Sequence, residues 1–255
     1  MKYGIRSGML GEPIDKEFTV AKELGFDGIE FCIGGNYKSE LLWTEGGVAK
    51  LKKLADKDRM EVCSLSPGVF AGLHPALPEA EKRAEGQEML SYCIKVCPEL
   101  GSKWILVPMF PRDAAEWKED TWKMLIDGFK PLADTAERHG VVLGLESTFT
   151  ADQLLKIIGG VGSKHLQAYY DVGNMTHWGV NPVDEIRKLG KNIAMIHVKD
   201  TDGKMLGEGK VDFKGVSDAI RDIGYDNYMV LETPGGSDPK AAAAQNLAFT
   251  KKLGK

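Results

Sequence analysis

Short apolar runs alternate along the chain with longer amphipathic stretches. The short runs are bounded by Gly, Pro or Asp, which is typical of buried strands, whereas the longer stretches repeat their apolar residues at helical spacing. The regular alternation favours a parallel sheet covered by helices. Eight strands are predicted, at residues 3–6, 28–32, 61–65, 104–107, 141–145, 168–170, 193–198 and 228–231.

The stretches between the strands predict eight helices. Glycine follows three of them, at Gly25, Gly140 and Gly190, which is the position where helices commonly end. Eight strand and helix pairs indicate a (β/α)8 TIM barrel in the α/β class, and we expect residues 1–255 to form a single domain of this kind. The predicted helices span residues 15–24, 43–58, 79–99, 116–139, 151–158, 182–189, 212–222 and 238–253.

Composition and charge narrow the class of protein. The chain has 255 residues, 43% of them hydrophobic, which is enough for one sizeable core. Its 33 basic and 37 acidic residues offer no basic surface for a phosphate backbone, so we expect no nucleic-acid partner. No apolar segment approaches the length of a membrane span, and a cytoplasmic protein without membrane association is expected. The four cysteines form no CxxC pair and are expected to be reduced.

Four consecutive predicted strands are followed or ended by a carboxylate or an imidazole. Glu146 follows the fifth strand, Asp171 the sixth and Glu232 the eighth, while His197 lies near the end of the seventh. In a (β/α)8 barrel the carboxyl ends of the strands meet at one rim, where active sites lie. These four side chains are therefore expected to converge.

Three carboxylates and one imidazole suit a single divalent metal ion. Such a mixed oxygen and nitrogen set favours Mn²⁺ and also fits Mg²⁺ or Co²⁺. Taken singly, each acid could instead be a rim carboxylate paired with a nearby lysine or arginine. Because burying several acids without a cation is costly, the set as a whole favours a metal site. Its ligands would be Glu146, Asp171, His197 and Glu232.

Several short segments resemble the xylose isomerase-like barrel superfamily, and within it the sugar isomerase and epimerase branch that includes ketose 3-epimerases and hydroxypyruvate isomerases. The resemblance extends from the second predicted strand to the eighth. Its most specific part is the order Glu, Asp, His, Glu on the last four strands. The segments are GFDGIE at 25–30, LGLE at 143–146, YDVGN at 170–174, IHVKD at 196–200, LGEG at 206–209 and LE at 231–232.

The resemblance implies a function and assigns roles. The four matching residues would bind one divalent metal. Glu146 and Glu232 would also be catalytic and exchange a proton with the substrate carbon from opposite faces, while Asp171 and His197 would be ligands only. The chain would then be a metal-dependent isomerase or epimerase that acts on a ketose or related small carbohydrate through an enediolate. Relatives are commonly dimers or tetramers, so a homo-oligomer is expected.

Further residues are candidates for substrate contact. Asn174 stands where many relatives have a histidine, and Lys199 is the nearest cation where sugar epimerases often have an arginine. Long loops after barrel strands are often functional, and His74 lies in the predicted loop at 68–78. The alternative for Glu30 is a rim salt bridge, and the alternative for Lys199 is pairing with a carboxylate. Loop packing is the alternative for the histidines. The candidates are Glu30, His74, Asn174, His177 and Lys199.

Other functions share this scaffold. A metal-dependent dehydratase or lyase of the inosose or dehydroshikimate type would use the same ligand set on a leaving hydroxyl. A binding protein could retain the metal for structure. An apurinic endonuclease needs a three-metal cluster with more histidines than the five in this chain, so that function is not expected.

The sequence leaves open whether the sugar is phosphorylated. Gly207, Gly209 and the pair at 235–236 follow the seventh and eighth predicted strands, where barrels often bind phosphate through backbone N–H groups. Glycine also suits ordinary tight turns. An unphosphorylated sugar is favoured because only Lys204 and Lys210 lie close to these glycines in the sequence.

Overall fold

Eight parallel strands close into a barrel. The computed structural model describes residues 1–111 and 114–254. Neighbouring strands pair in sequence order, and the first strand also pairs with the eighth, which closes the sheet. The predicted (β/α)8 TIM barrel is therefore confirmed. The strands are β1 Lys2–Arg6, β2 Gly28–Ile33, β3 Glu61–Pro67, β4 Trp104–Met109, β5 Val142–Ser147, β6 Leu166–Asp171, β7 Ile193–Val198 and β8 Tyr228–Leu231.

Helices follow the strands and cover the outside of the barrel. Short 3-10 turns lie at Tyr37–Ser39, Leu41–Trp43, Gly68–Gly72, Pro98–Leu100, Ala114–Glu116, Gly190–Asn192 and Thr201–Gly203. Within the described ranges the α-helices are α1 Ile14–Leu24, α2 Gly47–Lys57, α3 Ala80–Val96, α4 Glu119–His139, α5 Ala151–Val161, α6 Val172–His177, α7 Pro182–Leu189, α8 Phe213–Asp222 and α9 Pro239–Leu253.

The helix boundaries differ from the predictions where local chemistry intervenes. The helix predicted at 79–99 ends at Val96, because Pro98 cannot donate the hydrogen bond that would continue it. The helix predicted at 43–58 begins only at Gly47. Helix α6 was not predicted. It forms because the Asp171 side chain accepts a hydrogen bond from the backbone N–H of Asn174, an N-cap that starts a helix directly after β6.

The barrel interior carries its apolar side chains below its polar ones. A small buried cluster formed by strand residues includes Tyr169, Met195 and Val230. Because side chains alternate along a strand, the residues two positions further on face the same interior. Those residues are Asp171, His197 and Glu232. The strand period thus places an ionisable layer directly above an apolar one, at the carboxyl end of the barrel.

The larger apolar core lies between the strands and the covering helices. All four cysteines are free thiols, as expected, and Cys93 and Cys97 are buried in this core. Burial raises the pKa of the Cys97 thiol to about 12, which keeps it protonated. Among the described residues, no helix is long and apolar enough to cross a membrane.

Candidate active site

Four ionisable side chains meet at the carboxyl end of the barrel. Glu146 lies in β5, Asp171 ends β6, His197 lies in β7 and Glu232 follows β8. Asp171 and His197 are paired across neighbouring strands. One ligand atom from each of the four residues lies within 4.8 Å of the others. The convergence expected from the strand ends is therefore present in the structure.

The donor set fits a divalent metal. Asp171 is 2% exposed and Glu146 is 6% exposed, so their carboxylates are largely removed from water. Burial raises the pKa of Glu146, and the nearby Glu232 and Asp171 carboxylates add to this rise. Asp171 Oδ2 is buried and accepts no hydrogen bond, although the Lys199 ammonium lies 3.3 Å away. A divalent cation would relieve the repulsion between the carboxylates and bind this oxygen.

His197 is held in one orientation by Glu30. Its Nε2 lies 3.0 Å from Glu30 Oε1, and its Nδ1 faces Glu146 and Glu232 oxygens, each at 3.2 Å. Burial opposes protonation of His197, but the Glu30 and Glu146 carboxylates outweigh burial and raise its pKa. The ring therefore presents Nδ1 to the carboxylates and keeps Nε2 on Glu30, as metal-ligating histidines commonly do with a supporting carboxylate.

The structure corrects the substrate-contact role predicted for Glu30. Glu30 is 0% exposed and lies beneath the four converging residues, where a substrate cannot reach it. Its Oε2 accepts hydrogen bonds from Ser64 Oγ and from the Tyr169 hydroxyl, each at 2.7 Å. The salt bridge considered as its alternative does form, since Arg6 Nε lies 3.3 Å from Glu30 Oε1, although Glu30 itself is fully buried. Its contacts make it a support for His197.

Two cations flank Glu232. Arg6, at the end of β1, donates a hydrogen bond from Nη1 to Glu232 Oε1, while its Nε lies 3.3 Å from Glu30 Oε1. Lys199 Nζ lies 3.3 Å from Glu232 Oε2. Burial alone would raise the pKa of Glu232, but His197, Arg6 and Lys199 outweigh it and hold the pKa well below its ordinary value. The two glutamates thus experience opposite electrostatic environments.

Sequence reasoning missed Arg6, although the signal was available. It is a charged residue at the end of a predicted strand, which is the rule that identified the other four side chains. Lys199, predicted either to pair with a carboxylate or to contact substrate, forms ion pairs with Asp171 and Glu232.

A cavity of about 400 Å³ lies over the four residues. Arg6, Glu146, Asn174, Lys199 and Glu232 line its polar side. Its apolar lining includes Leu106, Pro108, Phe110 and Trp178. A cavity with a few convergent polar groups and an apolar wall is typical of a small-molecule site.

A second cavity of about 440 Å³ adjoins the first and shares Asn174, Lys199 and Glu232 with it. It extends over the loops that follow β7 and β8, and we call it the β7–β8 lobe. Its further lining residues include His177, Asp200, Asp202, Thr233 and Gly235.

The remaining predicted substrate contacts lie in different places. Asn174 lines both cavities, and its Nδ2 lies 3.4 Å from Glu146 Oε1. His177 is at the edge of the β7–β8 lobe, with 63% of its side chain exposed and its Nδ1 3.9 Å from Asp202. His74 is 7% exposed in the loop after β3 and does not belong to the lining of either cavity. The structure therefore brings Asn174 to the four residues but not His74.

Asp200 organises the loop that follows β7. Its carboxylate accepts hydrogen bonds from four backbone N–H groups within 3.2 Å, those of Thr201, Gly207, Gly209 and Val211. Asp200 is 5% exposed, so these bonds also satisfy a carboxylate that is nearly removed from water. A Cβ at position 209 would lie 2.0 Å from Asp200 Oδ1. Only glycine fits there.

Replacing Gly209 by alanine is expected to destabilise the protein by about 1–3 kcal/mol, because the new methyl group must displace the Asp200 carboxylate. Thermal unfolding followed by circular dichroism would measure the loss. Gly35→Ala is the matched control, since a Cβ at position 35 would meet no atom within 4 Å. Equal melting temperatures for the two variants would contradict the close packing of Asp200 against this loop.

Comparison with known proteins identifies the family. The model of the xylose isomerase-like TIM barrel family matches residues 18–253. The chain belongs to this family. Among relatives of this barrel, the fructoselysine 3-epimerase of Escherichia coli O157:H7 is 25% identical over 251 residues, covering 92% of this chain and 91% of the relative. The L-ribulose-5-phosphate 3-epimerase UlaE of Salmonella heidelberg is 26% identical over 239 residues, covering 87% of this chain and 82% of the relative.

Solved structures with the same barrel include other epimerases. The 3-keto-D-glucoside 4-epimerase YcjR from E. coli matches with a TM-score of 0.84 at 24% identity and covers 99% of both chains. An L-ribulose 3-epimerase matches with a TM-score of 0.85 at 22% identity, covering 99% of this chain and 94% of that one. The IOLI protein with a bound zinc atom gives 0.82 at 18% identity, covering 99% and 98%. At these identities the likeness supports the xylose isomerase-like fold alone.

Proposed function

We propose that this xylose isomerase-like barrel is a divalent-metal-dependent sugar epimerase that moves a proton at C3 of a ketose through an enediolate. One observation carries the proposal. Two glutamates from different sides of the barrel, Glu146 and Glu232, share a compact buried set with Asp171 and His197 and line one cavity. Two carboxylates that face one substrate carbon are what inversion by proton transfer requires. The epimerases among the relatives support the same reaction type.

The proposed ligands of the metal are Glu146, Asp171, His197 and Glu232. Their mixed oxygen and nitrogen chemistry suits Mn²⁺, with Mg²⁺ or Co²⁺ as alternatives, and a related barrel holds zinc. When bound, such a cation polarises the ketose carbonyl and stabilises the negative charge of the enediolate. Asp171 and His197 are proposed as ligands without a further part in proton transfer. Asp171 Oδ2 accepts no hydrogen bond, and Glu30 fixes the His197 ring, which supports this role.

Glu146 and Glu232 are the proposed catalytic pair. One takes the C3 proton and the other returns a proton to the opposite face, which inverts the configuration. Arg6 and Lys199 hold Glu232 by direct contact, whereas Asn174 and His197 lie against Glu146. Each carboxylate is thereby positioned by its own neighbours before the substrate enters.

Asn174 and Lys199 are the proposed contacts to substrate oxygens next to the reacting carbon. Both line the two cavities and both touch a member of the catalytic pair. His177 is proposed to meet the substrate further out, at the edge of the β7–β8 lobe. Phe110 and Trp178 belong to the apolar lining of the first cavity, and both side chains are solvent-exposed. They would pack against the C–H face of the sugar.

The test is metal-dependent hydrogen exchange. Metal-stripped protein is reloaded with Mn²⁺ and incubated in D₂O with a panel of free and phosphorylated ketoses, and NMR after chelation follows deuterium at each carbon. We expect exchange at C3 together with a new epimer, and a loss of at least about 100-fold when the metal is withheld. Exchange at C1 or C2 instead would contradict C3 epimerisation and indicate aldose–ketose isomerisation.

A second outcome would redirect the proposal. If the protein binds the metal but no ketose exchanges at any carbon, proton transfer to a ketose is excluded for the panel. The same ligand set then fits the dehydration alternative, with inososes and dehydroshikimate-like acids as the next substrates. Loss of water from those compounds, followed by absorbance of the unsaturated product, would decide it.

A further inference from the structure

The β7–β8 lobe lies where barrels often bind a phosphate group. Phosphate sites of (β/α)8 barrels are commonly built from the loops after strands seven and eight, with backbone N–H groups as donors. Here those loops supply Asp200, Asp202, Thr233 and Gly235 to the lobe. The lobe opens directly onto the proposed catalytic site through Glu232, Asn174 and Lys199. The charges and hydrogen-bonding groups of the lobe therefore affect whether a substrate can carry a phosphate or a hydroxyl at its far end.

Four backbone donors of the loop after β7 are already used by Asp200. Gly207 and Gly209 both donate to Asp200 Oδ2 at 2.9 Å, and Thr201 and Val211 donate to Oδ1. The loop has thus wrapped its N–H groups around a carboxylate of its own chain. A substrate phosphate would have to compete with a nearly buried anion that is covalently part of the loop.

The charges around the lobe also oppose a phosphate. Asp202 and Glu232 add carboxylates to that of Asp200. Among the described lining residues, Lys199 carries the fixed positive charge, and it is paired with Asp171 and Glu232. Lys204 and Lys210 are exposed and do not belong to the lining. A phosphate dianion in this lobe would face like charges at short range, which costs several orders of magnitude in affinity when uncompensated.

We propose that the β7–β8 lobe receives the hydroxyl-bearing far end of an unphosphorylated sugar, that Asp202 accepts a hydrogen bond from it, and that the lobe rejects phosphorylated sugars. This inference rests on the proposed epimerase function for the identity of the substrate. Asp202 is suited to the role because its side chain is 47% exposed and borders the lobe. Its carboxylate can accept hydrogen bonds from two neighbouring hydroxyls, whereas a phosphate offers it no donor when ionised.

The first part of the test compares matched ligands. Ligand-detected NMR with the Mg²⁺-loaded protein measures binding of D-fructose against D-fructose 6-phosphate, D-tagatose against its 6-phosphate, and L-ribulose against its 5-phosphate. Inorganic phosphate alone reports direct binding to the metal. We expect at least one free ketose to bind. Its phosphate ester should bind at least about 100-fold more weakly, or be converted at least about 100-fold more slowly. A phosphate ester that binds as well as or better than its free sugar overturns the inference.

The second part isolates Asp202. Asp202 has a φ of 58°, a left-handed conformation that asparagine adopts readily, so Asp202→Asn keeps the backbone. Glu208→Gln is the matched control, because it removes the same charge from an exposed residue of the same loop that does not line the lobe. We expect Asp202→Asn to raise the KM for the free sugar about 3- to 10-fold, with kcat little changed. The difference in affinity between the free sugar and its phosphate ester should become about 10-fold smaller. The control should change neither.

Binding and turnover separate the two possible failures. If the free sugar binds through Asp202 while no C3 exchange occurs, the lobe assignment stands and the epimerase function fails. If C3 exchange occurs with a phosphorylated ketose as the better substrate, the epimerase function stands and the lobe assignment fails. Equal effects of Asp202→Asn and Glu208→Gln, or binding of neither member of any pair, also overturn the lobe assignment.

Discussion

Glu146→Gln is expected to lose epimerisation by about 10²- to 10⁴-fold while exchange with solvent continues on one face of the substrate. The variant keeps a neutral oxygen at the same position but can no longer accept or deliver a proton. Glu232 is untouched, and it remains held by Arg6 and Lys199. It can therefore still remove and return the proton of the epimer that presents its C3 hydrogen to it.

The measurement is deuterium incorporation into each epimer separately. Under the proposed mechanism the wild type labels both epimers at C3 from either starting sugar. Glu146→Gln should label only one epimer, and Glu232→Gln should label only the other. The reciprocal variant is thus the control for each, and metal content by mass spectrometry shows that both proteins remain loaded. A single glutamate variant that converts one epimer into the other at close to the wild-type rate would contradict the two-carboxylate mechanism.

Glu30→Gln is expected to weaken metal binding about 10- to 100-fold, although Glu30 touches no proposed substrate contact. The Glu30 carboxylate fixes the His197 ring through Nε2 at 3.0 Å and leaves Nδ1 facing Glu146 and Glu232. A neutral amide holds the ring less firmly and provides less negative charge next to it. The His197 ring is then less firmly oriented, and the basicity of its ligating nitrogen decreases.

Titration of the metal-stripped protein with Mn²⁺, followed by the paramagnetic signal of free Mn²⁺, measures this loss. Glu61→Gln is the matched control, since Glu61 begins β3 at the opposite end of the barrel and pairs with the exposed Lys2. Thermal unfolding of both metal-free variants shows whether the fold is kept. If Glu30→Gln binds Mn²⁺ as the wild type does, Glu30 does not support His197 in the proposed way.

The fold and four members of the site were predictable because both follow from short-range patterns. Each strand of the barrel was visible as an apolar run between turn-forming residues, and each was then found with small shifts at its ends. Once eight strand and helix units are counted, the closed barrel places every strand end at one rim. The convergence of Asp171, His197 and Glu232 therefore needed no knowledge of contacts.

Other parts of the site were not predictable from local patterns. Arg6 ends β1 and Glu30 lies inside the neighbouring β2, opposite Arg6, yet Glu30 is fully buried below the cavity and Arg6 lines it. The neighbours of each side chain depend on how β1 pairs with β2 and β8, which a pattern within one strand does not contain. Helix α6 depends on a cap formed by Asp171, a residue whose sequence position indicates a metal ligand or a rim carboxylate.

The glycines after β7 also show the difference between what a local sequence pattern indicates and what the tertiary structure decides. Their sequence was compatible with a phosphate-binding turn, and only the fold brings the Asp200 carboxylate onto their N–H groups. The sequence by itself determined the barrel, the rim and the ionisable residues at the strand ends, because strand period and chain order are local properties. The tertiary structure decided which of those residues face the cavity, which support them from below and which donors are already used. Those outcomes depend on contacts between residues far apart in the chain, where register, burial and competition for hydrogen bonds are settled together.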